Sequence, residues 1–193
     1  SKVPGMRVLA PSSTQDLQQM LSDAISLADT GPVAIRYPKG LARNVDENDI
    51  GSGLQARKLV DGITKRVCVL AIGKLVGAAL EAAETLKASN VDVTVWDVRS
   101  CTPLDPAMIA DAIQHDVVIT AEDGIRDGGI GMTIENMIND TIQATTGHKR
   151  PIVQVLGVPT TFVPTAKPQV ILHQMGLDSQ GIILTVKDLV DSQ

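Results

Sequence analysis

Apolar positions in the 193-residue chain fall into two patterns, short unbroken runs and helical spacing. Runs at 6–10, 33–35, 67–72, 92–98, 116–121 and 151–156 read as buried strands, too short for helices and bounded by turn residues. Leu17, Met20, Leu21, Ala24, Ile25 and Ala28 recur at the 3.6-residue period. Ser12 or Ser13 can cap that helix, with Asp16 in its first turn. An alanine-rich helix is expected over about 75–88. Pro103-Leu104-Asp105-Pro106 starts another through about 114, with Asp105 as N-cap and Pro106 at the first helical position. A glycine-rich loop over 123–131 opens a helix to about 144, and further helices are expected over 168–175 and 180–190. Residues 54–60 read as an edge strand. Strand and helix alternate throughout, which predicts an α/β fold with a mostly parallel sheet covered on both faces.

The same pattern divides the chain. Residues 1–40 form one βαβ unit, which cannot bury both of its faces alone and reads as the tail of a larger sheet. Residues 41–56 are polar with little periodicity, including Asn44, Asp46, Glu47, Asn48 and Asp49. They read as a linker, giving units of 1–45 and 56–193 joined by 46–55. The opening Ser1-Lys2-Val3-Pro4-Gly5 has loop chemistry and no initiator Met. The expectation is a piece of a longer protein, separated by design or by proteolysis.

Composition narrows the function. Hydrophobic residues make up 44% of the chain and aromatics only 2%, so Val, Ile, Leu and Ala must build the core, as in buried parallel sheets. Few aromatics argue against base-stacking surfaces. A net charge of −5 argues against broad phosphate-backbone binding. No nucleic-acid partner is expected, and no apolar run is long enough for a membrane helix. Cys68 and Cys101 lack any CxxC or metal-ligand spacing and read as reduced thiols of a cytoplasmic protein. His115, His148 and His173 are isolated, so no zinc site is expected.

The most informative segment is Gly31-Pro32-Val33-Ala34-Ile35-Arg36-Tyr37-Pro38-Lys39-Gly40. An apolar strand runs into two cations, putting positive charge at a strand's carboxyl end, where open α/β sheets bind ligands. A charged strand end before a Pro/Gly turn is the alternative. The segment resembles the end of the pyrimidine-binding domain of transketolase-like, thiamine-diphosphate enzymes. Within these it is most similar to the 1-deoxy-D-xylulose-5-phosphate synthases, whose usual motif ends Arg-Tyr-Pro-Arg-Gly. Further along, Val93-Thr94-Val95-Trp96-Asp97-Val98-Arg99, Pro103-Leu104-Asp105, Glu122 with Gly128-Gly129-Ile130-Gly131, Gly157-Val158-Pro159 and Gly176-Leu177-Asp178 resemble the carboxyl-terminal domain of the same family in order and spacing. Pyruvate dehydrogenase-type β subunits share some of these features.

The resemblance implies residues 1–45 as the tail of a pyrimidine-binding domain and 56–193 as a transketolase carboxyl-terminal-type domain with a mostly parallel five-stranded sheet. It implies a transferase that joins pyruvate to glyceraldehyde 3-phosphate with loss of CO2, using thiamine diphosphate and Mg, and that feeds isoprenoid, thiamine and pyridoxal precursors. The Glu that activates thiamine and the Gly-Asp-Gly metal motif are expected upstream. No catalytic, cofactor-binding or metal residue is therefore assigned here, and the chain alone is expected to be inactive. Glu122-Asp123-Gly124 imitates the metal motif but begins with Glu, and Asn136 and Asn139 follow too closely. The resemblance assigns the substrate phosphate to the last cation of the motif, here Lys39, which keeps the charge but loses the arginine fork. Arg36 is the second candidate, its alternative an ion pair tethering the strand to a neighbouring helix. The Gly128–Gly131 stretch could cradle an anion or allow close backbone packing. Gly73 suggests a nucleotide loop, but the glycine fingerprint is missing.

Two functions of different class follow. One is the carboxyl-terminal part of a synthase, with the amino-terminal part of the same enzyme, a second copy and a small phosphorylated substrate as partners. The other is a non-catalytic assembly subunit of a split transketolase or of a 2-oxoacid dehydrogenase β-type protein. A stand-alone nucleotide-binding module is disfavoured. Because the opening βαβ unit lacks cover, limited proteolysis of the dilute monomer is expected to cut first within residues 1–45. Resistance of that stretch would show that it needs no partner.

Overall fold

The fold opens as strand, helix, strand: β1 (Arg7–Leu9), α1 (Thr14–Leu27) and β2 (Val33–Ile35). The two strands pair in parallel, Val8 opposite Ala34, with α1 as their crossover. Ser13 caps the helix, its Oγ accepting from Asp16 N at 3.0 Å, which satisfies one of the open amide groups of the first turn. The apolar stripe of α1 is covered only in part. Met20 is fully buried, whereas Leu21 is 50% and Ile25 79% exposed. The stripe that the spacing predicts is present, but only one narrow sheet lies against it.

The computed structural model describes residues 3–40, 42–145, 147 and 149–192. After the linker come β3 (Arg57–Val60), β4 (Val67–Ala71), α2 (Leu75–Ala88), β5 (Val93–Asp97), β6 (Ser100–Thr102), α3 (Pro106–Ala112), β7 (Val117–Ile125), α4 (Ile130–Ala144), β8 (Ile152–Val158), α5 (Pro168–Gln174) and α6 (Ser179–Asp191). Five strands form one sheet in the order β3-β5-β4-β7-β8. All its pairings are parallel except that of β3, which lies antiparallel on the edge. Along β4 the side chains alternate in the two-residue period of a strand. Val67, Val69 and Ala71 join the core under α2 and α6, and Cys68 and Leu70 join the core under α3 and α4. Asp105 caps α3, accepting from Ala107 N at 2.8 Å, while its second oxygen accepts from Ala56 N at 2.9 Å and anchors the linker.

Two features differ from expectation. The strand expected to end at 121 continues to Ile125, which pairs with Val158 after a register shift. Polar β6 has no apolar signature, yet it pairs antiparallel with β1 and completes a three-stranded sheet of order β2-β1-β6. The opening unit is thereby stitched to the rest of the chain.

Beneath that seam lies a buried polar cluster. Arg99, Asp97 and Asp16 are 1%, 1% and 3% exposed. Ser12 Oγ lies 2.5 Å from Asp97 Oδ2 and 3.2 Å from Asp16 Oδ2. Arg99 donates from Nε to Asp16 at 3.3 Å and from Nη1 to the carbonyl of Gln55 at 2.7 Å, with longer bonds to those of Ser52 and Gly53. Its backbone sits at φ 53°, a left-handed conformation uncommon for a residue with a side chain, and a Cβ at Gly51 would collide with its guanidinium. Burial pushes the Asp97 carboxyl up to about 7, opposed by the Ser12 bond and by Arg99 and reinforced by Asp16.

Two predictions follow from this cluster. Arg99→Met leaves two buried carboxyls without their cation, and is expected to lower stability by about 3–5 kcal/mol in urea unfolding. A loss within error would remove the guanidinium from any holding role. The second prediction concerns pH. A carboxyl whose folded pKa lies above its ordinary value contributes stability that is complete below about pH 4 and lost as pH rises through about 7. Asp97→Asn mimics the protonated form. It is expected to gain on the parent as pH rises across that window, with no change in gap if Asp97 does not titrate there.

Candidate functional site

In the large sheet β4 connects through α2 to β5 on one side, while β7 connects through α4 to β8 on the other. The crevice between the carboxyl ends of β4 and β7 is therefore the topological switch point, the usual ligand position in such sheets. Gly73 and Lys74 follow β4 there. Glu122, Asp123 and Gly124 stand opposite, where β7 has passed its last pairing with β4 at Ala121.

This crevice is crossed by the chain itself. Arg36 leaves β2 with its backbone N donating to Leu9 O at 2.8 Å. Its guanidinium donates from Nη1 to Asp123 Oδ1 at 2.6 Å and from Nη2 to the Asp123 carbonyl at 3.3 Å. Lys74 Nζ approaches the other Asp123 oxygen at 3.8 Å. Arg36 thus makes an ion pair with the carboxyl end of a strand, β7, and not with a helix.

The crossing separates two cavities. One, of about 730 Å³, is lined by Arg36, Asp123, Gly124, Val158, Thr160 and the fully exposed Phe162, among others. The other, of about 620 Å³, is lined by Pro11, Ser12, Ser13, Thr14, Tyr37, Lys39, Arg43 and Lys74, among others. Lys39 and Arg36, the two candidate cations of the motif, therefore face different cavities. Arg43 and Lys74 were not singled out from the sequence. A lysine directly after the Gly73 turn was a readable signal for Lys74, whereas Arg43 is brought in only by the path of the linker, where Thr14 N donates to Arg43 O at 2.9 Å.

The remaining candidates are engaged within the chain. Glu122 is buried, and Gly131 N donates to its Oε1 at 2.8 Å. Burial pushes its carboxyl up, against hydrogen bonds from the Gly131 and Ile130 backbone. The amino end of α4, one expected anion cradle, thus already holds the chain's own carboxyl group. Gly131 has no room for a side chain, because a Cβ would overlap Thr120 and Val155, and one at Gly129 would strike Ile125 O. Exposed Arg126 and Asp127 pair with each other at 3.1 Å. His115 is buried, Nε2 at 2.9 Å from Thr94 Oγ1, and burial lowers its pKa. Exposed His173 lies 2.6 Å from Asp178, and His148 lies outside the described residues. Cys68 and Cys101 are free and buried; burial pushes the Cys101 thiol up to about 12 and that of Cys68 higher still. Among the described residues no helix is long and apolar enough to cross a membrane.

Comparison with known proteins places this arrangement. The family model for the transketolase C-terminal domain matches residues 55–182. A 1-deoxy-D-xylulose-5-phosphate synthase of Magnetococcus marinus is 32% identical over 97% of the chain, which covers 29% of that relative. One of Vibrio campbellii is 37% identical over 96% of the chain and 28% of the relative. The chain thus spans under a third of the length of these curated relatives. A solved structure described as "Split gene transketolase, inactive beta4 tetramer" superposes with a TM-score of 0.81 at 25% identity, covering 97% of this chain and 57% of the other.

Proposed function

The chain belongs to the transketolase carboxyl-terminal domain family, and from that membership we propose that it is the carboxyl-terminal part of a 1-deoxy-D-xylulose-5-phosphate synthase. The whole enzyme would join pyruvate to glyceraldehyde 3-phosphate with loss of CO2, using thiamine diphosphate and Mg. The observation that carries this reading is the likeness to such synthases, 32% and 37% identical over 97% and 96% of the chain. In this reading residues 1–45 are the tail of a pyrimidine-binding domain, 46–55 a linker and 56–193 the carboxyl-terminal domain. The free, buried thiols suit a cytoplasmic protein.

The residues present do not fit the cofactor. The carboxyl of Glu122 is committed to the start of α4 and that of Asp123 to Arg36, so no step through thiamine diphosphate or Mg is derived from this chain. Alone it is inactive in this reading, and its own contribution is to the substrate. Lys39 takes the phosphate as a point charge, while Arg36 holds the strand end in register through Asp123. Exposed Leu21, Ile25 and Phe162 suit assembly with the amino-terminal part and pairing into a dimer. The likeness to a split-gene transketolase chain supports a second reading, a separate assembly subunit that completes a site with a partner chain.

In the complete enzyme Lys39→Ala is expected to raise KM for glyceraldehyde 3-phosphate about ten- to a hundredfold, the equivalent of one charge-assisted hydrogen bond, with pyruvate KM little changed and Lys39→Arg retaining affinity. An unchanged KM for the phosphorylated substrate would remove Lys39 from the site. Absence of synthase activity from the chain combined with its amino-terminal part would favour the assembly subunit.

A further inference from the structure

Resting on the reading of Lys39 as a phosphate ligand, we propose that the cavity beside it also takes, besides the monophosphorylated substrate, a small ligand with two anionic groups, at least one of them a phosphoryl group. Lys39, Arg43 and Lys74 all line it, and no carboxylate is among its lining residues, in a chain whose net charge is −5. A phosphoryl group carries about −1.5 to −2 at neutral pH. One such group leaves about one positive charge unmatched, which a second anion balances. The volume, about 620 Å³, lies within the range of small-molecule sites.

The neighbouring carboxylates discharge these cations only in part. Asp123, 3.8 Å from Lys74 Nζ, is already paired with Arg36 at 2.6 Å. Asp16 and Asp97 lie behind Ser12, Asp16 accepting from the buried Arg99 side chain and Asp97 from the Arg99 backbone N. Arg43 reaches that group only through Nη2, 3.5 Å from Ser12 Oγ. Its Nε is buried and has no hydrogen-bond partner among the described residues. The three cations come from separate segments, Lys39 from the turn after β2, Arg43 from the linker and Lys74 from the turn after β4. The ligand therefore also bridges the opening βαβ unit and the large sheet.

Calorimetric titration of the chain with inorganic phosphate and with inorganic pyrophosphate, in moderate salt and without divalent metal, tests the proposal. Pyrophosphate is expected to bind at least tenfold more tightly. Lys74→Ala and Arg43→Gln should each abolish most of that preference, Lys74→Arg should retain it, and Lys87→Ala on the exposed end of α2 should leave both affinities unchanged. Retention in Lys74→Arg guards against loss through misfolding. Equal affinity for the two probes overturns the inference, and so does a preference that survives Lys74→Ala and Arg43→Gln. An equal fall with Lys87→Ala overturns it too, because only unspecific charge would then be read. If phosphate binding needs Lys39 but pyrophosphate gains nothing, the two-anion pocket fails and the Lys39 reading stands. If the preference needs Lys74 and Arg43 but not Lys39, the pocket stands and the Lys39 reading fails. No binding of either probe overturns both.

Discussion

The guanidinium of Arg99 is the contact around which the two sheets are organised. Two carboxyls, Asp16 from α1 and Asp97 from the end of β5, are withdrawn from water on either side of the seam, and a buried charge is tolerated only when it is paired and hydrogen-bonded. Arg99 supplies the opposite charge and ties down the carbonyls of Ser52, Gly53 and Gln55, so the linker, the helix and the large sheet meet at one side chain. Its strained backbone and the obligatory glycine at position 51 show how tightly the surroundings are built to it. One cation facing two carboxyls also leaves an excess of negative charge, which is relieved by the raised affinity of Asp97 for a proton.

That seam sets where residues 36–40 and 42–44 run. Held at one end by β1–β2 pairing and at the other by Arg43 beside Ser12, the segment is drawn across the crevice at the carboxyl ends of β4 and β7. In many open sheets that crevice is the ligand site. Here Arg36 and Asp123 bridge it, and Glu122 closes the adjacent helix start. The chain neutralises its own switch point and moves the unmatched positive charge to one side, under Lys39.

Elsewhere the molecule leaves apolar surface in water. With almost no aromatic residues, the core is filled by Val, Ile, Leu and Ala packed on both sides of the five-stranded sheet. The opening unit lacks such cover, and Leu21 and Ile25 remain outside. Exposed apolar surface beside an uncovered sheet is a common mark of an interaction face, which agrees with a chain that spans under a third of its relatives.

The sequence by itself determined the large sheet, its helices and their order. Unbroken apolar runs such as 67–71 and the caps at Ser13 and Asp105 are local signals, and the periods of strand and helix differ enough to be told apart. It also marked Lys39 and Arg36 as cations at a strand end. Only the tertiary structure decided that β6 pairs with β1, that Arg36 is spent on Asp123, and that Arg43 and Lys74 join Lys39. Those outcomes depend on contacts between residues far apart in the chain. A three-residue polar strand carries no period, and an ion pair spanning 36 and 123 leaves no trace in either neighbourhood. Local patterning records which face of an element is apolar, whereas charge pairing depends on which elements the folded chain brings together.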